Sequence, residues 1–147
     1  MDLILWRHAD AEDGFPDIER QLTAKGLKQA EKMAEFLRSR LPANPRILVS
    51  PAKRTQQTAR ALSSDFMIDP ILATNATAEG ILDVAGWESN KQGCVVIVGH
   101  QPTLGEVAAL VLSYKKDYWS VDKGSVWWFH QGDYGTTLRL VMSPDLL

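Results

Sequence analysis

Cys94-Val95-Val96-Ile97-Val98, followed at once by Gly99-His100-Gln101-Pro102, is the stretch that decides the fold. Five apolar residues in a row, four of them β-branched, read as a buried strand. Pro102 then opens a helix in which Leu104, Val107, Ala108 and Val111 share one face. The same grammar recurs on both sides. Leu3-Ile4-Leu5-Trp6 is a second short apolar run, ending at Arg7-His8. After a polar loop, Thr23 caps a helix reaching about Arg40, with Leu27, Ala30, Ala34, Leu37 and Leu41 at helical spacing. Arg46-Ile47-Leu48-Val49 is a third strand, and Ser50-Pro51 launches a helix through about Ser63, with Ser50 as the cap and Pro51 at the first helical position. Phe66 to Ile71 holds a short extended piece, and Ala78, Ile81, Leu82 and Ala85 form one face of a further helix.

The end of the chain differs in kind. Ser125 to Gln131, a Gly132-Asp133-Tyr134-Gly135 turn and Thr136 to Met142 read as a hairpin. Strands that alternate with helices imply a mainly parallel central sheet with helices on both faces, to which the hairpin adds antiparallel strands. The expectation is an α/β, three-layer fold in which residues 1–147 form a single domain.

Composition agrees with that expectation. Hydrophobic residues make up 45% of the 147 and charged residues 23%, enough to build a substantial core. A formal charge of −2 argues against nucleic-acid binding and against adhesion to an anionic membrane. No basic stretch precedes a long apolar segment, so no signal peptide is expected, and no run approaches the length of a membrane span. Cys94, the one cysteine, excludes an intramolecular disulfide and reads as a small buried hydrophobe. A reducing cytoplasm is the expected compartment.

Three segments place polar or basic residues directly after an apolar strand: Trp6-Arg7-His8, Ser50-Pro51-Ala52-Lys53-Arg54 and Gly99-His100-Gln101-Pro102. In a parallel sheet the carboxyl ends of the strands line one edge, where ligands bind. Arg7, His8, Arg54 and His100 are therefore expected to converge, with helix N-termini favouring an anion there. Arg54 is the most telling of the four, because a cation in the first turn of a helix opposes the dipole unless it has an anion to hold. Each residue alone has a plainer role open to it: a structural hydrogen bond for either histidine, a solvated side chain for Arg54. His8, His100 and His130 have no close-spaced metal-ligand motif, and Gly-x-Gly-x-x-Gly and Walker loops are absent. No cofactor and no metal are expected.

Arg7-His8-Ala9-Asp10 resembles the RHG/RHA signature of the histidine phosphatase superfamily. Ser50-Pro51-Ala52-Lys53-Arg54-Thr55-Gln56-Gln57-Thr58 is similar to its SPxxRxxQT motif, and Val98-Gly99-His100 to its second-histidine motif. Asp10-Ala11, the Arg20-Gln21-Leu22-Thr23-Ala24-Lys25-Gly26 stretch, the short length and the closing Met142-Ser143-Pro144 narrow the resemblance to SixA-type phosphohistidine phosphatases. The resemblance implies that His8 attacks phosphorus and becomes a phosphohistidine, which water then hydrolyses. Arg7 and Arg54 would neutralise the non-bridging oxygens, and His100 would donate a hydrogen bond to them. Arg20 and Ser50 are the candidate substrate-binding residues, although Arg20 reads equally as an exposed loop residue. The implied partner is a phosphohistidine-bearing protein, such as a histidine-containing phosphotransfer domain, with phosphate as the bound anion.

The chain departs from the family at the general acid. Asn75 stands where many relatives carry Glu, and Glu79 is the nearby carboxylate: a possible acid, or simply an exposed first-turn helix residue. Phosphohistidine tolerates the loss, because imidazole leaves readily, whereas an alkoxide needs a proton. Two alternatives stand beside the leading reading: a small-molecule phosphomonoesterase of the same superfamily, and a catalytically inactive phosphate-recognition module. Trp119, Trp127, Trp128 and Phe129 read as core in preference to a docking patch.

Overall fold

The computed structural model describes residues 1–89 and 92–147. Strands β1 (Asp2–Arg7), β2 (Arg46–Val49), β3 (Met67–Ile68), β4 (Cys94–Gly99), β5 (Val126–Gly132) and β6 (Gly135–Met142) form one sheet, in the order β3-β2-β4-β1-β5-β6. The first four run parallel, and β5 and β6 join antiparallel on the far side of β1. Helices α1 (Ala24–Arg38), α2 (Lys53–Leu62), α3 (Ala78–Ala85) and α4 (Thr103–Ser113) complete the three layers.

Alternation along the strands decides which helices cover which face. Leu3, Leu5, Val95, Ile97 and Phe129 point to the side where α3 supplies Ile81 and Ala85 and α4 supplies Leu104, Val107 and Val111. Ile4, Trp6, Val96, Val98 and Trp128 point to the side where α1 supplies Met33, Ala34 and Leu37 and α2 supplies Ala59. Both central strands are thus buried on both faces, which is why β1 and β4 read as unbroken apolar runs. Leu3, Ile4 and Leu5 are each fully buried, and each contributes roughly 1.5–3 kcal/mol of hydrophobic stabilisation before conformational entropy is set against it. Trp128 and Phe129 lie in the two core layers, while Trp119 and Trp127 are half-buried against one of them.

Two local expectations change. Leu27 is exposed and Met33 takes its place in the core, because the buried stripe of α1 runs through Gly26, Ala30, Met33, Ala34 and Leu37. Ser50 is not a helix cap: α2 begins at Lys53 with Ala52 as N-cap and no side-chain bond, because the Ser50 hydroxyl is 2.7 Å from His100. By contrast Thr23 does cap α1, accepting the Gly26 amide at 2.9 Å. No helix among the described residues is long and apolar enough to cross a membrane.

The first turn of α1 presses against the loop that leaves β1. A Cβ on Gly26 would sit 1.9 Å from the Asp10 carbonyl oxygen, so only glycine allows this approach. Gly26→Ala is expected to destabilise by about 1–3 kcal/mol, the usual cost of overpacking a closed site, and to be read as a lowered urea midpoint. An unchanged midpoint would show that the helix moves away freely.

Candidate active site

Parallel pairing carries β1 and β4 to the same edge, with Arg7 opposite Gly99. The next residues, His8 and His100, therefore emerge side by side, with ring centroids 5.4 Å apart and planes tilted by 56°. The His8 amide donates to the Gly99 carbonyl at 3.1 Å, and the Ser50 amide at the end of β2 donates to Val98 at 3.1 Å. His8 Nδ1 lies 2.7 Å from the Ala9 carbonyl oxygen. A carbonyl only accepts, so Nδ1 carries the proton and Nε2 keeps its lone pair. The Ala9 amide is itself held by Thr58 Oγ1 at 3.1 Å, which ties this turn to α2.

Arg54, the second residue of α2, is almost wholly buried and donates to the Asp17 main-chain oxygen at 2.8 Å and to Asp17 Oδ2 at 3.0 Å. Its Nη2 also lies 3.5 Å from His100 Nδ1. Asp17 Oδ1 receives Arg20 Nη1 at 3.0 Å, and Arg20 Nε donates to the Glu12 carbonyl at 2.7 Å. One carboxylate therefore bridges two guanidinium groups, and those contacts, Arg20 first, hold its pKa below the usual range. Arg7 is anchored through Nη1 to the Val121 carbonyl at 2.8 Å. The Nε atoms of Arg7 and Arg54 are both buried without a hydrogen-bond partner among the described residues.

These surroundings keep both histidines neutral. Burial, followed by the positive charges of Arg54, Arg7 and Arg20, brings His8 down to about 4, against an opposing pull from its bond to Ala9. Burial, followed by His8 and Arg54, brings His100 down to about 3. Neutral imidazole with a free Nε2 is the nucleophilic form, and the guanidinium groups beside it suit a phosphoryl dianion.

The structure thus gathers Arg7, His8, Arg54 and His100 at one sheet edge, with Arg20 joined to the set through Asp17. Ser50 lies behind His100 and is fully buried. Glu79 has no hydrogen bond or ion pair with these four among the described residues. It is exposed, pairs with Lys116, which holds its pKa down, and lines a cleft of about 690 Å³ with Leu82, Asp83 and Leu110. His130 sits at the opposite end of β1, 2.6 Å from Asp2. Cys94 is buried and its thiol is pushed up to about 12 by that burial. Sequence reasoning missed Asp17. Its only signal was its place three residues before Arg20 in a polar loop, which says nothing of a clasp across to α2.

The family model for the histidine phosphatase superfamily (branch 1) matches residues 3–79. An uncharacterised protein of Picosynechococcus sp. is 32% identical over 120 residues, spanning 76% of this chain and 73% of that protein. The structure of the protein histidine phosphatase SixA complexed with tungstate matches with a TM-score of 0.86, covering 99% of both chains at 22% identity, a likeness of fold. A candidate phosphohistidine phosphatase SixA from Nakamurella multipartitia matches with a TM-score of 0.81 at 26% identity, over 97% of this chain and 95% of that one.

The depressed histidines set a pH dependence. A free histidine takes up its proton near 6.5, so the unfolded chain is protonated at these positions while the folded chain binds no proton until about pH 4 at His8 and about 3 at His100. Over that window the unfolded state binds more protons, so stability falls as pH drops below about 6.5. Urea unfolding between pH 7 and 4.5 is expected to show this fall, and His8→Asn to reduce it. NMR titration of the rings should give a His8 midpoint near 4; a midpoint near 6.5 contradicts the buried, cation-flanked site.

Proposed function

The chain belongs to the histidine phosphatase superfamily, and from that premise we propose that it is a metal-independent phosphohistidine phosphatase, with residues 1–147 working as one cytoplasmic domain. Its substrate is a phosphorylated histidine on a partner protein, such as a histidine-containing phosphotransfer domain. The observation that carries this reading is the His8–Ala9 hydrogen bond of 2.7 Å, which leaves Nε2 as a bare nucleophile beside buried cations. In the first step the Nε2 lone pair attacks phosphorus, the P–N bond to the substrate imidazole breaks, and the departing ring keeps the proton already on its other nitrogen. In the second, water attacks the phosphohistidine on His8, releasing inorganic phosphate and restoring the lone pair. Arg7 and Arg54 hold the non-bridging oxygens and supply positive charge in the role that cations fill in metal-dependent phosphatases. Arg20, linked to Arg54 through Asp17, takes up the substrate phosphoryl from the loop side.

The leaving group supports phosphohistidine. Glu79 is paired with Lys116 and held ionised, and Asp17 is held ionised by Arg20 and Arg54, so neither carries a proton to give an alkoxide at neutral pH. An imidazole needs none.

The decisive assay presents a phosphohistidine protein, an aryl phosphate and glycerol phosphate side by side in excess chelator. Turnover is expected in that order, with label left on His8 after a quench in base, and none in His8→Ala. Rapid glycerol phosphate hydrolysis would make the enzyme a small-molecule phosphatase. Loss of activity in chelator, restored by one divalent metal, would overturn the metal-independent mechanism. Tungstate binding without turnover of any substrate would leave only a phosphate-recognition module.

Arg54→Lys replaces a planar fork by a point charge. A loss of at least ~10-fold in kcat/KM, about 1.4 kcal/mol of transition-state stabilisation, is expected. Near-normal kinetics would mean that Arg54 serves only to hold Asp17.

A further inference from the structure

Ser50 Oγ lies 2.7 Å from His100 Nε2 and accepts the Ala52 amide at 3.3 Å. The hydroxyl has one proton and two lone pairs. Ser50 is fully buried and His100 is 5% exposed, so bulk solvent does not reach the hydroxyl to take up an unused proton. Two arrangements satisfy the short contact. If His100 Nε2–H donates to Oγ, the hydroxyl becomes an acceptor twice over and its own proton is stranded, since its other partner among the described residues, the Ala52 N–H, is also a donor. That leaves a buried donor unsatisfied. If instead the hydroxyl donates to Nε2, both lone-pair and proton needs are met, and the ring proton moves to Nδ1. The rival arrangement gains only the contact from Arg54 Nη2 to Nδ1, which at 3.5 Å is at the very limit of a hydrogen bond.

We propose that Ser50 is a positioning residue that sets the tautomer of His100, its Oγ–H donating to Nε2 so that Nδ1–H faces the phosphoryl site. This rests on the phosphatase reading above for its function, but its chemistry is that of the resting protein. The consequence is geometric. Arg54 Nη2–H and His100 Nδ1–H become two donors 3.5 Å apart, unable to satisfy one another and both suited to a single shared acceptor. A phosphoryl oxygen fits that need. His100 then donates while uncharged, which suits a ring kept neutral by its burial and by neighbouring cations. Ser50 thereby serves the anion without touching it, in place of the direct substrate contact expected from the sequence.

The tautomer is directly observable. In the full-length protein at pH 7, long-range ¹H–¹⁵N correlation should show His100 Nε2 as the bare nitrogen and Nδ1 as the protonated one. The opposite pattern overturns the proposal, whatever the enzyme hydrolyses. Ser50→Ala should convert His100 to a mixed or reversed tautomer and weaken tungstate binding by about 10-fold, the usual scale for a lost hydrogen bond to a charged group. In a His100→Ala background, Ser50→Ala should then change tungstate affinity less than twofold, because its effect passes through the ring. Equal losses in both backgrounds would mean that Ser50 acts only by shaping the loop, and would overturn the proposal. These readouts use no substrate, so they stand or fall separately from the choice of phosphohistidine as substrate.

Discussion

The parallel pairing of β1 with β4 is the constraint on which everything else hangs. Because Arg7 stands opposite Gly99, the two chains leave the sheet together, and His8 and His100 have no choice but to be neighbours. Slipping the register by one residue would send every apolar side chain of β1 to the wrong layer. Leu3 and Leu5 would then face α1 and α2, and Ile4 and Trp6 would face α3 and α4. The same alternation that builds the core therefore fixes the separation of the two imidazoles. Stability of the sheet and precision of the site are one property.

Around that pair the protein concentrates positive charge in a place where it is costly. Arg54 is buried in the first turn of a helix, where the dipole opposes it, and Arg7 and Arg54 each keep a buried Nε without a partner among the described residues. Buried polar groups left unpaired are expensive, a cost that fits the anion-binding role proposed above for these arginines. Asp17 offsets part of the cost by bridging Arg20 and Arg54. Among the described residues its carboxylate is the one that pairs with Arg20 and Arg54, and it comes from a short 3-10 turn on an exposed loop. A built-in counter-ion on a loop is easier to rearrange than one on the sheet, which suits the phosphoryl-binding role proposed above for the arginines.

How much of this was legible in the sequence follows from the range of the forces involved. The strands, helices and both faces of the sheet were readable because hydrophobic periodicity is local: Cys94–Val98 and Leu3–Trp6 announce themselves. The convergence of Arg7, His8, Arg54 and His100 was readable because a parallel sheet always brings strand ends to one edge. What escaped were hydrogen bonds between distant segments. Ser50 looked like a helix cap because Ser-Pro usually is one, yet its hydroxyl is engaged by a histidine fifty residues away. Leu27 looked like core at the right spacing, but Gly26 brings the helix so close to Asp10 that the buried stripe shifts toward Met33. Asp17 had no pattern at all, since nothing local predicts which side chain a loop folds back upon.

Neutrality of the histidines is the last step linking fold to chemistry. An imidazole serves as a nucleophile only when unprotonated, and as a single, fixed donor only when its tautomer is set. The fold meets the first condition by burial and by arginines, which lower His8 to about 4. It meets the orientation of His8 with a main-chain carbonyl, Ala9, because a carbonyl has no proton and can be satisfied in only one way. For His100 the neighbour is a hydroxyl, which by itself is ambiguous; only its burial and the Ala52 amide beside it remove the ambiguity. The two rings are thus set with opposite nitrogens protected, His8 at Nδ1 and His100 at Nε2, so that one offers a lone pair and the other a proton. On the mechanism proposed above, a phosphoryl group between them would meet a nucleophile at phosphorus and a donor at oxygen, with both rings neutral until the bond from His8 to phosphorus forms.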